Sequence, residues 1–213
     1  MTEADESPRR SERGLDRLLA LSDGIFAFAV TLLVLDLVVP VLSPGATSAD
    51  LWQALSKEYG SFFSYLLSFL ITGLWWMAHN RNFVYIKRSD YNLGWLNLLF
   101  LLWIAVLPFF TKLLNSYGNL QVAVVLYAAD QAAAGIFMTL SWWYASRNHR
   151  LVDKGLKRSV IRSRLLNNVV APIFFFVSMG LSFIGPAVAT FFWLVMFPIL
   201  FAMHRLETKM END

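Results

Sequence analysis

The chain has 213 residues, enough for one domain, yet 57% of them are apolar, 15% are aromatic and the mean hydropathy is +0.51. That is more apolar surface than the core of a soluble domain this size needs, so the solvent for most of the chain is lipid. Cysteine is absent, which excludes disulfides, thiolate metal sites and cysteine nucleophiles, and a net charge of +3 dispersed between apolar runs gives no reason to expect a nucleic-acid partner.

The first sixteen residues are polar and charged, and residues 1–16 are expected to form a disordered cytoplasmic N-terminus. The apolar run that follows lacks a small-residue cleavage site, so it is expected to stay as a helix rather than to be removed as a signal peptide. A helix needs about 20 apolar residues to cross a hydrocarbon core of about 30 Å. Six runs approach that length: 17–39, 61–79, 92–112, 119–145, 166–184 and 187–204. Gly185 and Pro186 separate the last two, a pair that stops one helix and starts the next. The loop after the first run contains Pro40, Pro44 and Gly45, and residues 50–58 within it suit a short interfacial helix. The expected fold is therefore an all-α integral membrane protein of six transmembrane helices, with a membrane domain over 17–204 and a cytoplasmic C-terminal tail over 205–213.

Basic residues near helix ends are retained on the cytoplasmic side during insertion. Arg9, Arg10, Arg13 and Arg17 precede the first run; Arg81, Lys87 and Arg88 lie between the second and third; seven more fall between Arg147 and Arg164; Arg205 and Lys209 follow the sixth. The alternate loops hold only Lys57 and, at a helix edge, Lys112, so sixteen of the eighteen basic residues share one side. This supports an even number of helices, both termini in the cytoplasm and a multi-pass protein of the cell membrane. The basic segment 147–164 either binds anionic lipid headgroups or simply marks the cytoplasmic side.

A charged side chain inside a spanning helix is expensive, so Asp23 in the first run requires a partner. Arg17, Ser22 and His79 lie at a similar depth on the same side, and Asn97 is a further hydrogen-bonding candidate; together they suit an interhelical network, or a site of proton or ion transfer. One histidine and one aspartate are too few for a metal site, and neither a metal nor another cofactor is expected. At about 100° per residue, Gly24, Phe28, Thr31 and Leu35 share one stripe of the first helix, and Asp23 lies to its side. Such a stripe faces either a packing seam or a lumen, and a lone threonine in it either bonds its own helix's carbonyls or lines a pore. Asp130 and Gln131 in the fourth run are expected to face other helices, and Asp36 suits an interfacial charge or an attractor of cations at an outer vestibule.

The segment Arg17-x-x-x-Leu21-Ser22-Asp23-Gly24, with the apolar residues after it, resembles the first helix of the transmembrane protein 175 family in its bacterial branch. The family pattern is R-x-x-x-F-S-D, and Leu21 stands where the family has Phe. Trp75-Trp76-x-x-His79 and the stretch from Asn97 to Pro108 also look like this branch, and the six-helix layout extends the resemblance over nearly the whole chain. The resemblance implies a homotetrameric potassium-permeable channel with the first helix of each subunit lining a central pore. It implies an apolar constriction at Phe28, usually Ile or Leu in the family, with Thr31 and Leu35 one and two turns further out. No T-V-G-Y-G carbonyl filter occurs, so selectivity would come from side chains. Arg17, Ser22, Asp23, His79 and Asn97 would form the interhelical network that holds the pore helix. The expected partners are potassium ions, the lipid bilayer and further copies of the chain.

A secondary transporter using Asp23 and His79 is the main alternative. It would show interrupted helices and polar residues on several of them; Pro172 and Pro198 approach that description, but helices two, five and six carry little that binds a polar substrate. An enzyme would need several converging acids, bases or metal ligands, and none is expected. A purely structural membrane protein is the remaining reading.

Overall fold

The computed structural model describes residues 3–196 and residue 198, with side chains described from Arg13. Its long elements are helices α1 (Glu3–Leu33), α2 (Ser48–Lys57), α3 (Tyr59–Phe83), α4 (Tyr91–Tyr117), α5 (Gln121–Ser146), α6 (Arg158–Leu181) and the short α7 (Pro186–Phe192). Among the described residues, five helical stretches are long and apolar enough to cross a membrane: Arg13–Asp36, Tyr59–Phe83, Tyr91–Tyr117, Gln121–His149 and Arg158–Leu181. The sixth expected run opens as the apolar helical segment Pro186–Val195. Most of the remainder of that run, and the tail 205–213, lie outside the described residues.

Helix ends differ from the hydropathy boundaries for local reasons. Helix α1 begins at Glu3 rather than at residue 17, because hydropathy marks only where a helix enters lipid, while Glu and Arg are good helix formers in water. It stops before the expected residue 39: a 3-10 turn covers Val34–Asp36, and Leu37 is already extended. Pro40 disfavours a helical Val39, and β-branched Val38 and Val39 suit extended backbone. Helix α2 forms where a short helix over 50–58 is expected, starting two residues earlier. A capping box starts it: the Thr47 side chain accepts from the Asp50 backbone N–H, and Asp50 accepts from the Thr47 backbone N–H at 2.8 Å. Hydrogen bonds from Thr47 hold the exposed Asp50 carboxyl below its usual pKa. Asp90 caps α4 by accepting from the Leu93 N–H at 2.9 Å.

Helix α5 is the centre of the bundle. In its most apolar stretch 56% of residues are buried, against 22% for α1, which sits at the edge of the subunit against α3 and α4. Helix α6 packs closely on α5 at Gly135, where a Cβ would come within 2.7 Å of Pro172 Cδ and 3.1 Å of the Trp75 ring. A main apolar core runs through α1, α3, α4, α5 and α6 around Phe26, Ile71, Phe100, Ile104, Tyr127 and Phe175. A second, smaller cluster lies at one end, where Leu15, Phe83, Ile86, Leu93, Trp142 and Val152 meet. There the α3–α4 and α5–α6 connections pair through a single antiparallel bridge, Ile86 with Val152. Asn148 and His149 adopt positive φ angles of 54° and 52°, turning the chain back so that the Leu151 N–H donates to the Ala145 carbonyl at 2.9 Å.

Candidate functional site

Helix α1 has two opposed faces. Ser22, Phe26, Ala29 and Leu33, spaced four, three and four apart, are buried against the bundle. Gly24, Phe28, Thr31 and Leu35 repeat that spacing two residues later, about 200° around the helix, and point away from the subunit. Phe28 is 66% exposed and Leu35 is 72% exposed, and a Cβ on Gly24 would meet nothing within 4 Å.

Exposed apolar side chains are expected wherever helices face lipid, and α4 shows them at Trp95, Leu98, Leu102 and Phe109. The outward face of α1 has a different composition. Ala20, Gly24, Ala27 and Thr31 are exposed along it, and Asp23 is exposed on its flank. Small residues let helices approach one another, and polar ones inside a membrane face protein or water rather than acyl chains. The Thr31 hydroxyl donates to the Phe28 carbonyl at 2.8 Å. Its proton is thereby used within the helix, and the oxygen lone pairs remain as acceptors.

Behind this face, three of the polar residues singled out in the sequence meet. Asn97 Nδ2 donates to Ser22 Oγ at 3.0 Å, and Asn97 Oδ1 lies 2.8 Å from His79 Nε2. Ser22 donates in turn to the Leu18 carbonyl at 2.8 Å. The chain ties α1 to α4 and α4 to α3, and all three side chains are buried. His79 is stacked between Phe83 and Phe100, with ring centroids 4.2 and 5.6 Å away, and Phe26 of α1 meets it edge-on.

Asp23 and Arg17 do not join that chain. Asp23 accepts from Trp76 Nε1 at 2.9 Å, and among the described residues it forms no ion pair with Arg17. Six residues separate the two on one helix, about 9 Å along the axis and well around it, so they address different neighbours. The partner that sequence reasoning missed was the indole one turn before His79 on α3.

Two further polar groups cross the interior. Trp75 Nε1 donates to Gln131 Oε1 at 2.7 Å, so Gln131 does face another helix, and Gln131 Nε2 donates at 2.7 Å to Oδ2 of the buried Asp130 beside it on α5. Thr111 donates to Ser68 Oγ at 2.9 Å, and Ser68 shares a hydrogen bond with the Tyr127 hydroxyl at 3.0 Å. Nothing in the sequence singled out this triad, because isolated hydroxyls in apolar runs are common. Asp36, at the far end of α1, lies 3.8 Å from Lys112 of α4. Among the described residues no three His, Asp or Glu side chains gather as metal ligands would.

Residues 17–108 match the family described as the endosomal/lysosomal potassium channel TMEM175. A protein of Streptomyces collinus called a potassium channel is 33% identical over 174 residues, which cover 79% of this chain and 82% of that one. Another potassium channel, from Chamaesiphon minutus, is 32% identical over 183 residues, covering 84% of this chain and 89% of the relative. The fold superimposes with a TM-score of 0.77 on the crystal structure of a lysosomal potassium-selective channel TMEM175 homologue from the same organism. That alignment has 28% identity and covers 90% of this chain and 98% of the other.

Proposed function

This chain belongs to the TMEM175 family, in its bacterial branch, and on that premise we propose that it is a potassium-permeable leak channel whose constriction is built from side chains of α1. Four copies surround a central pore in the cell membrane. Each contributes six spanning helices, with 17–204 as the channel domain and both termini in the cytoplasm. The side on which sixteen of eighteen basic residues fall supports that orientation.

The observation that carries the reading is the outward face of α1, exposed at Ala20, Gly24, Ala27, Phe28, Thr31 and Leu35, with Asp23 exposed on its flank. A face of that composition is poorly suited to acyl chains and well suited to a water-filled seam between copies. Counted from Arg17, Phe28 lies about 16 Å along the helix, near mid-membrane. A ring of four Phe28 side chains narrows and dewets the lumen, and the electron-rich faces of the rings tolerate a passing cation. One turn further out, four Thr31 oxygens, their protons already donated within each helix, replace part of the hydration shell of potassium. Leu35 continues the lining. The Ser22–Asn97–His79 chain and the Trp76–Asp23 bond hold the rotation of α1 against α3 and α4, which supports the reading that this stripe faces the axis.

A secondary transporter working through Asp23 and His79 is the competing reading. Two features favour the channel. His79 is enclosed by aromatic rings with Nε2 committed to Asn97, and Asp23 is exposed on α1 with an indole as its partner, so among the described residues each is engaged by a different neighbour. The test is cation flux into proteoliposomes holding the purified chain, potassium against sodium, for wild type and Thr31→Ala. We expect potassium flux down its gradient without an exchange partner, and a potassium-over-sodium preference reduced in the variant. Flux that appears only when a second solute is supplied would replace the channel with the transporter.

A further inference from the structure

The end of the bundle formed by the α3–α4 and α5–α6 connections concentrates positive charge that the channel reading does not use. The Ile86–Val152 bridge and the hydrogen bond from the Lys87 N–H to the Leu151 carbonyl at 2.8 Å hold the two connections together. This sets Lys87 and Arg88 beside Arg150, and Arg88 Nη2 reaches the Arg150 carbonyl at 3.3 Å. Lys87, Arg88, Arg147, Arg150, Lys154 and Lys157 are all exposed.

Two carboxylates lie in these connections, and both are used elsewhere. Asp90 accepts from the Leu93 N–H and from the Tyr144 hydroxyl at 2.7 Å, and Asp153 accepts from the Gly155 N–H at 2.6 Å. Among the described residues, none of those six cations is paired with an acid. Their mutual repulsion favours a bound anion.

Two guanidinium groups are also held in place. Arg147 lies over the Trp143 ring, 5.0 Å from its centroid, and Arg150 lies over the Tyr144 ring at 4.6 Å. A guanidinium held over a ring by its carbon still has N–H donors to offer, and its fork matches two oxygens of a phosphate. The same end carries an aromatic belt: Trp143, Tyr91 and Trp95 are exposed, the last two in edge-to-face contact 6.1 Å apart. Exposed Trp and Tyr at helix ends mark the level of lipid headgroups. The cations therefore stand where phosphodiesters of the membrane lie.

We propose that Arg147 and Arg150, with Lys87 and Arg88 beside them, form a binding site for the phosphate of an anionic phospholipid headgroup. The site is independent of what the pore conducts. It ties the α3–α4 and α5–α6 connections to the membrane surface and makes the stability of this end depend on lipid composition.

The test is thermal unfolding of the purified full chain in detergent, followed by tryptophan fluorescence, with phosphatidylglycerol, phosphatidylcholine or soluble glycerol phosphate added at matched concentration. Phosphatidylglycerol is expected to raise the midpoint by several degrees, and the other two are not. Arg147→Gln with Arg150→Gln should abolish that rise, while Lys154→Gln with Lys157→Gln, which removes the same charge away from the rings, should keep most of it. Should the first double variant not purify, Arg147→Lys with Arg150→Lys retains the charge, loses the fork, and should lose most of the rise. An equal rise with phosphatidylcholine, or equal losses in the two glutamine pairs, would overturn the site. An equal rise with glycerol phosphate would replace the lipid with a soluble phosphate ligand.

Discussion

Asn97 uses its amide in both directions, donating to Ser22 on one side and meeting His79 on the other. A leucine there removes both bonds and leaves the buried His79 Nε2 without its partner, while Ser22 keeps the Leu18 carbonyl. Asn97→Leu should therefore cost about 1–2 kcal/mol, in line with buried and interhelical hydrogen bonds elsewhere. Ser22→Ala, which removes one acceptor from an amide that keeps its other bond, should cost less. Reversible unfolding in detergent measures both. Depth along the helices was enough to bring Ser22, His79 and Asn97 together on paper, because antiparallel neighbours place residues of similar depth at one level. Depth alone cannot say which side chain turns toward which. For that reason Asp23 was matched with Arg17 and His79 in the sequence, whereas its rotation on α1 delivers it to Trp76.

At the scale of elements, the close contact of α5 and α6 depends on the missing Cβ of Gly135. Pro172 breaks the regular backbone bonding of α6 at that point and cannot move its ring aside as a flexible side chain would. Gly135→Ala should destabilise the protein by about 1–3 kcal/mol through overpacking, read as a lower unfolding midpoint, despite alanine's better helix propensity. Helix α2 gives a pH prediction with a definite sign. Asp50 is held below its ordinary pKa by Thr47, so the cap is fully present above the usual carboxylate range and is lost as pH falls through the lowered folded value. The protection of the amides of residues 48–51, taken relative to their intrinsic exchange rate at each pH, should fall on acidification, and Asp50→Asn should remove most of that pH dependence. Hydropathy made the long helices legible because lipid demands long apolar runs. It did not place their ends, which are set by Asp90, by the Thr47–Asp50 cap and by the valines before Pro40, nor the pairing of the connections at Ile86 and Val152.

For the whole molecule, the arrangement of burial is the informative quantity. The central helix is α5, and the helix with the most polar outward face is α1, at the margin of the subunit. Gly24 and Thr31 on an exposed face inside a membrane suit a protein neighbour or water better than acyl chains, which fits the proposed assembly of copies around a shared axis. The stripe was visible in the spacing of Gly24, Phe28, Thr31 and Leu35, but spacing could not separate a packing seam from a lumen. Exposure shows that this stripe faces away from the bundle of its own chain, which is what the proposed pore requires. Because the chain contains no cysteine, single cysteines can be introduced without background. The most direct test of the proposed pore is ion current through Thr31→Cys and Leu35→Cys channels before and after a cationic thiol reagent, with Leu102→Cys on the outward face of α4 as the comparison. Pore lining by α1 predicts that the reagent suppresses most of the current at residues 31 and 35 and leaves residue 102 unaffected. Unchanged current at both α1 positions, with labelling confirmed by mass, would contradict it.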